Sequence, residues 1–181
     1  GYSSTNANIG RTANRGVELG VDFIPVQTKD FQWTSNLNFA WQKNRIVETD
    51  LGVQDDVPNE WFIGQPIGVW YTYEVDGLWQ AEDAEEMQKF NDNGHNFQVG
   101  MVKPVDQEVY NEETGKYERN YKIGDEDRVI IGQKSPTLTY GWNNTFSYKN
   151  FELAVELYGR AGYMISTGGE GQLGMYAQRE I

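Results

Sequence analysis

The stretch from Pro136 to Arg160, PTLTYGWNNTFSYKNFELAVELYGR, constrains the fold more than any other part of the chain. Leu138, Tyr140, Trp142, Phe146 and Tyr148 share one parity, and Thr139, Gly141, Asn143, Thr145 and Ser147 share the other, which is the pattern of a two-faced β-strand. A two-residue loop at Lys149 and Asn150 places Tyr148 opposite Phe151 on one face. Phe151, Leu153, Val155 and Leu157 then continue the apolar face, while Glu152, Ala154, Glu156, Tyr158 and Arg160 continue the polar one. Such a hairpin must bury its dry side. Periodicity alone leaves two environments open, the core of a soluble β-sandwich and the lipid around a transmembrane barrel. Each strand reaches the roughly 9 to 11 residues that a tilted crossing requires.

A second hairpin precedes it. Val17, Leu19, Val21 and Phe23 alternate with Glu18, Gly20 and Asp22 as far as Pro25, which marks an end or an edge. Phe31, Trp33, Ser35, Leu37, Phe39 and Trp41 then share a parity against Gln32, Thr34, Asn36, Asn38, Ala40 and Gln42. A three-residue loop, Thr28 to Asp30, predicts Gln27 opposite Phe31 and merges the apolar faces. The predicted strands lie near 15–27, 31–43, 137–148 and 151–162, with Gly1 to Asn14 as loop. Tight turns lie on the periplasmic side of outer-membrane barrels and long loops on the outside. On that reading the strand ending near Asn44 and the one starting near Thr137 are separated by zero or two further crossings.

Between the hairpins, residues 45–135 read as a long structured excursion. Gly68 to Gln80, GVWYTYEVDGLWQ, is strand-like but carries bulky aromatics on both faces, which predicts packing on both sides. Ala81 to Phe90 is the one convincing helical stretch, with acids early and Lys89 late, as the helix dipole prefers. Residues 163–181 read as the start of another loop, with the Gly-rich GGEGQLG within it.

The excursion is also where charge concentrates. Of 27 acidic and 15 basic residues in 181, 20 acids and 5 bases fall between Glu48 and Asp127. That balance excludes a phosphate-binding nucleic-acid surface and reads first as solvated loop. The chain has no cysteine, so disulfides and thiolate metal sites are excluded and an extracytoplasmic address stays open. The single histidine, His95, reads as structural. Without cysteine or a second histidine, zinc sites and nucleophilic triads lack parts, and the plentiful carboxylates do not define a glycosidase pair. No enzyme and no cofactor is expected. Binding is the better expectation, because flat aromatic faces with polar neighbours hold sugars and peptides. Trp61, Trp70, Tyr71, Tyr73 and Trp79 are the candidate ligand-binding residues, with Phe62 beside them. Neither terminus carries the marks of a natural end, and the chain reads as a piece of a longer polypeptide.

The order RGVELGVDFIPVQTKDFQWTSNLNFAWQKNRIVE, then WFIGQPIGVWYTYEVDGLWQ, then DEDRVIIGQKSPTLTYGWNNTFSYKNFELAVELYGRAG resembles the SusC/RagA family of TonB-dependent outer-membrane transporters over nearly the whole chain. The resemblance implies an all-β fold: about four strands of an antiparallel transmembrane β-barrel that totals about 22 strands around a plug, with a long extracellular loop. It implies import of oligosaccharides or peptides, a SusD-like surface lipoprotein as lid, energy from the TonB complex through a region outside this chain, and contact with outer-membrane lipid. Asn36, Asn38, Asn143, Glu152, Glu156 and Arg160 would then face plug or water. One place departs from the family. A compact acidic turn resembling a calcium loop is replaced by DQEVYNEETGKYERNYKIGDEDR, so Asp106, Asp125 and Asp127 read as solvated acids and not as a metal site. The competing expectation is a secreted, soluble β-sandwich that binds glycans.

Overall fold

The computed structural model describes residues 10–166. Most of the segment expected as a further loop, 163–181, therefore lies outside the described residues, as do residues 1–9. Along the chain the elements are β1 (Arg11–Gln27), β2 (Phe31–Glu48), β3 (Val69–Tyr73), β4 (Val75–Leu78), α1 (Ala84–Asp92), β5 (Val102–Pro104), β6 (Val109–Asn111), β7 (Lys116–Glu118), β8 (Arg128–Gln133), β9 (Leu138–Tyr148) and β10 (Phe151–Ala161). Of the described residues, those up to Val69 and from Gly132 form one compact unit; the other is Trp70–Ile131.

The first unit is built on a four-stranded antiparallel sheet in the order β1-β2-β9-β10. β2 pairs directly with β9, from Phe31 opposite Tyr148 to Trp41 opposite Leu138. Of the two crossing counts allowed by turn geometry, the sheet therefore has zero. Both tight turns sit at one end, where the Lys149 N–H donates to the Asp30 carbonyl at 2.9 Å. The Lys149–Asn150 turn has the register read from the sequence, with Tyr148 opposite Phe151, and Lys149 adopts a left-handed φ of 52°.

The other turn differs from expectation. Gln27 pairs with Gln32, not with Phe31, although the predicted register holds from Val17 opposite Trp41 to Phe23 opposite Ser35. The one-residue slip occurs between Phe23 and Val26, where Pro25 cannot donate to a ladder and a bulge is the tolerated solution. Beyond the bulge, Thr28 closes the turn through its hydroxyl, which accepts the Phe31 N–H at 3.0 Å. β1 also begins at Arg11, inside the stretch read as loop, because Thr12 through Asn14 pair with Ile46 through Asn44. A backbone ladder continues where side chains no longer alternate.

The pairing assembles one continuous apolar face. Its rows read Val17, Trp41, Leu138, Ala161; then Leu19, Phe39, Tyr140, Gly159; then Val21, Leu37, Trp142, Leu157. At Gly159 the missing side chain is what allows the packing, since a Cβ there would lie 2.2 Å from the Tyr140 ring. Nearer the turns, Trp33 stacks on Phe146 at 5.6 Å and 22°. Among the described residues nothing covers this face, with Val17 61%, Leu153 60% and Phe151 79% exposed. Contiguous apolar surface of this kind is rare on soluble monomers.

A polar knot interrupts it. Ser35 and Asn144 lie opposite each other in the apolar parity, yet both are buried. Ser35 Oγ and Trp33 Nε1 donate to Asn144 Oδ1, each at 3.0 Å, and Trp142 Nε1 donates to Ser35 Oγ at 2.8 Å. The indole rings thus shield the polar pair and satisfy it, which removes the penalty a bare amide would incur on an apolar face.

Candidate functional site

In the first unit, the chain after β2 forms a loop pinned to the end of that strand. Ile46 N–H donates to Gln65 O at 2.9 Å and Gly64 N–H to Ile46 O at 2.8 Å. Asp56 closes the tip, because its carboxylate accepts from Asn59 and its backbone exchanges two bonds with Trp61, at 2.8 and 3.0 Å. Trp61 is held by this tip and half-exposed, whereas Phe62 beside it is buried.

The second unit has its own core, made almost entirely of rings. Trp79 and Phe90 are fully buried. Phe90 meets Trp79 edge-on at 5.5 Å, Phe97 at 5.9 Å and Tyr121 at 5.6 Å. Phe97 stacks on His95 at 5.1 Å and 9°. Phe90 comes from α1, which a 3-10 turn at Ala81–Asp83 precedes and whose apolar residue points inward. The Asp83 carboxylate caps this start by accepting the Gln80 N–H at 2.9 Å. His95 is structural, as read: the Ile123 N–H donates to its Nε2 at 3.0 Å.

A chain of charges wraps the rings. Lys103 lies 4.8 Å over Trp79 and bridges Asp83 at 3.1 Å and Glu86 at 2.9 Å; Arg119 joins Glu86 at 2.7 Å and Asp106 at 3.4 Å. The Lys103 ammonium bond holds the Glu86 carboxyl below its ordinary range; the backbone bond from Gln80, then Lys103, does the same for Asp83. Asp106 behaves oppositely. Burial pushes its carboxyl up, against the Tyr121 N–H and Arg119, and nearby Asp127 adds to the rise. One of its oxygens accepts from Tyr121 at 2.9 Å, and the other is buried without a partner among the described residues.

Here the solvated reading of the acids is corrected. Asp106 is 4% and Asp127 0% exposed. Asp127 accepts the Gln107 N–H at 2.7 Å and the Gly124 N–H at 2.8 Å, so it serves as a brace for two loop segments. Asp125 does remain at the surface. Among the described residues no three His, Cys, Asp or Glu side chains gather to hold a metal ion.

The Asp106 geometry carries an expected pH dependence. Its folded-state pKa lies above its ordinary value, so the folded unit binds more protons in the window between the two, and stability falls as pH rises through it. Asp83 and Glu86 act in the opposite sense and lose their contribution only as pH falls through their depressed values. Asp106→Asn should therefore flatten the slope just above the ordinary carboxylate range and raise stability near neutral pH, as read from hydrogen exchange at the Trp79 amide in the full-length protein across that pH range.

The five candidate aromatics separate. Trp79 is corrected from ligand contact to core, because no part of it reaches solvent and a ring without an open face cannot stack on a ligand. Tyr71 is half-exposed, but Arg128 lies 4.4 Å over its ring while donating to its carbonyl at 2.8 Å. Trp70 and Tyr73, on β3, and Trp61 stay partly open. The sequence reading missed the ion chain around Lys103 and Arg119, and it missed an exposed hairpin formed by β6 and β7. Parity did hold a signal for the polar knot, since Ser35 and Asn144 interrupt otherwise apolar rows.

Comparison with known proteins places this arrangement. No family model matches the chain. It is 31% identical over 182 residues to TonB-dependent receptor P3 of Formosa agariphila, covering 94% of this chain and 16% of that protein. It is 25% identical over 154 residues to TonB-dependent receptor SusC of Bacteroides thetaiotaomicron, covering 83% of this chain and 14% of that protein. The solved RagAB peptide transporter superposes with a TM-score of 0.61 at 22% identity, over 86% of this chain and 16% of that one. The chain therefore spans about a sixth of the length of the relatives it matches.

Proposed function

We propose, starting from a chain that is SusC/RagA-like over nearly its whole length, that it forms four adjacent membrane strands and one outward excursion of a TonB-dependent outer-membrane importer. The whole protein takes up oligosaccharides or peptides without catalysing a reaction, works with a SusD-like lipoprotein at the cell surface, and draws energy from the TonB complex through a region outside this chain. The strands near 15–27, 31–43, 137–148 and 151–162 cross the membrane, and residues 45–135 lie outside. Trp61, Trp70 and Tyr73 contact the substrate or the lid.

The observation that carries this reading is the uncovered apolar face, four strands wide, with both tight turns at one end. A soluble sandwich needs a second sheet packed about 10 Å above that face, and among the described residues the face stays exposed. The polar face suits a lumen. Asn38 donates to Asn36 at 2.6 Å and Asn36 to Asp22, which links two amides of β2 to a carboxylate of β1.

Topology is measurable by single-cysteine labelling in the whole protein with any other cysteines replaced, since this chain contributes none. A single cysteine at Glu113, in the excursion, should react with a membrane-impermeant maleimide in intact cells. One at Asn150, in the tight turn, should react only after the outer membrane is permeabilised. Equal labelling of both in intact cells overturns the orientation.

A further inference from the structure

The hairpin of β6 and β7 lies in the acidic stretch DQEVYNEETGKYERNYKIGDEDR and presents an exposed aromatic surface outside the ring core. Its turn is locked from one side. The Asn111 carboxamide oxygen accepts the Glu113 N–H at 2.9 Å, Gly115 N–H donates to Asn111 O at 2.8 Å, and Gly115 takes a φ of 67°. Glu118 accepts from Asn111 Nδ2 and, at 3.1 Å, from Thr114 Oγ1. Local side-chain bonds of this kind hold a short hairpin in one shape.

The cross-strand pair Tyr110 and Tyr117 stands apart from that network. The rings meet edge-to-face at 5.4 Å and 61°, yet Tyr110 is 56% and Tyr117 68% exposed. Neither hydroxyl has a hydrogen-bond partner among the described residues. A pair whose whole purpose was hairpin stability would gain from burying its rings. These rings stay open on a rigid support. The surrounding charge is of one sign: Glu108 precedes the pair, Glu112 and Glu113 follow Tyr110, and all three are exposed and free of ion pairs among the described residues, while Lys116 is the sole base between Glu108 and Glu118.

We propose that the Tyr110–Tyr117 pair and its neighbouring glutamates form a docking site for a cationic peptide segment, in which a Lys or Arg side chain lies against a tyrosine face while its charge meets Glu108, Glu112 or Glu113. Ring quadrupole and carboxylate attract the same cation, and two solvent-facing hydroxyls offer acceptors to guanidinium or ammonium donors. A neutral sugar would gain from the rings but nothing from the acids, and an anion would be repelled. Binding is read in detergent, where membrane orientation does not enter the result.

The test uses the full-length protein in detergent and a fluorescent oligo-arginine peptide, with anisotropy as readout and a neutral malto-oligosaccharide as competitor. Tyr110→Leu with Tyr117→Leu, which keeps apolar bulk on the hairpin, should weaken peptide binding about tenfold. Glu108→Gln with Glu112→Gln should weaken it severalfold and reduce its salt dependence. Glu82→Gln with Glu85→Gln removes the same charge from exposed positions at the start of the helical segment and should leave binding nearly unchanged. Equal loss in that control, no loss in the tyrosine variant, or displacement of the peptide by the neutral sugar would each overturn the proposal. None of these results bears on the maleimide labelling, so the two readings fail separately.

Discussion

Phe90→Ala is expected to destabilise the second unit by about 3–5 kcal/mol, enough to leave much of it unfolded at room temperature. Phe90 is fully buried and is the ring on which the others converge: Trp79, Phe97, His95 and Tyr121 all contact it. These neighbours are rigid rings held by contacts of their own, so a cavity of much of the ring volume would remain. The loss should appear in hydrogen exchange of the full-length protein as faster exchange at Trp79, Gly100 and Asp127, whose amides are bonded within this unit. The ladder of β2 and β9 should keep its protection, since its bonds and its packed rows belong to the other unit. Unchanged exchange at Trp79 would mean that the ring cluster does not hold the unit together.

Leu37→Arg carries the second large effect, and it reads the environment of the apolar face. Leu37 sits in the row Val21, Leu37, Trp142, Leu157, six residues from the turn end of β2 and thus near the middle of a tilted crossing. On the proposed lipid face an arginine there costs about 2–4 kcal/mol, and assembly in the outer membrane should fall accordingly when followed by heat-modifiable gel mobility. Thr145→Arg, on the polar face of the adjacent strand, should assemble nearly as well as the parent. Equal assembly of both variants would remove the lipid reading, because no apolar environment treats the two faces alike.

The hairpins were legible because each strand obeys a single period of two and each turn must join strands of matching parity. Parity also supplied the body of the β1–β2 register. It could not supply the slip at Pro25, where the missing donor lets the ladder skip a residue, nor the strand before Arg15, where pairing follows the partner and not the local pattern. In the excursion the same kind of reading reached its limit. GVWYTYEVDGLWQ shows aromatics on both parities, and the reading that it packs on both sides says nothing about which ring is sealed. Trp79 is buried and Tyr73 is not, because residues distant in sequence, Phe90, Phe97 and Lys103, close over the first.

The sequence by itself determined the two-faced strands, the tight turns, the separation of an acidic excursion from an apolar sheet, and the kinship with SusC/RagA-like receptors. Each is written in local spacing or in motif order, and neither requires knowing which distant residues meet. Only the tertiary structure decided that β2 lies directly beside β9, that Ser35 and Asn144 satisfy two indoles within an apolar face, and that Asp106 and Asp127 are buried supports instead of solvated acids. Those outcomes depend on long-range pairing. A carboxylate in an acidic loop looks the same along the chain whether water surrounds it or two backbone amides from elsewhere reach it first.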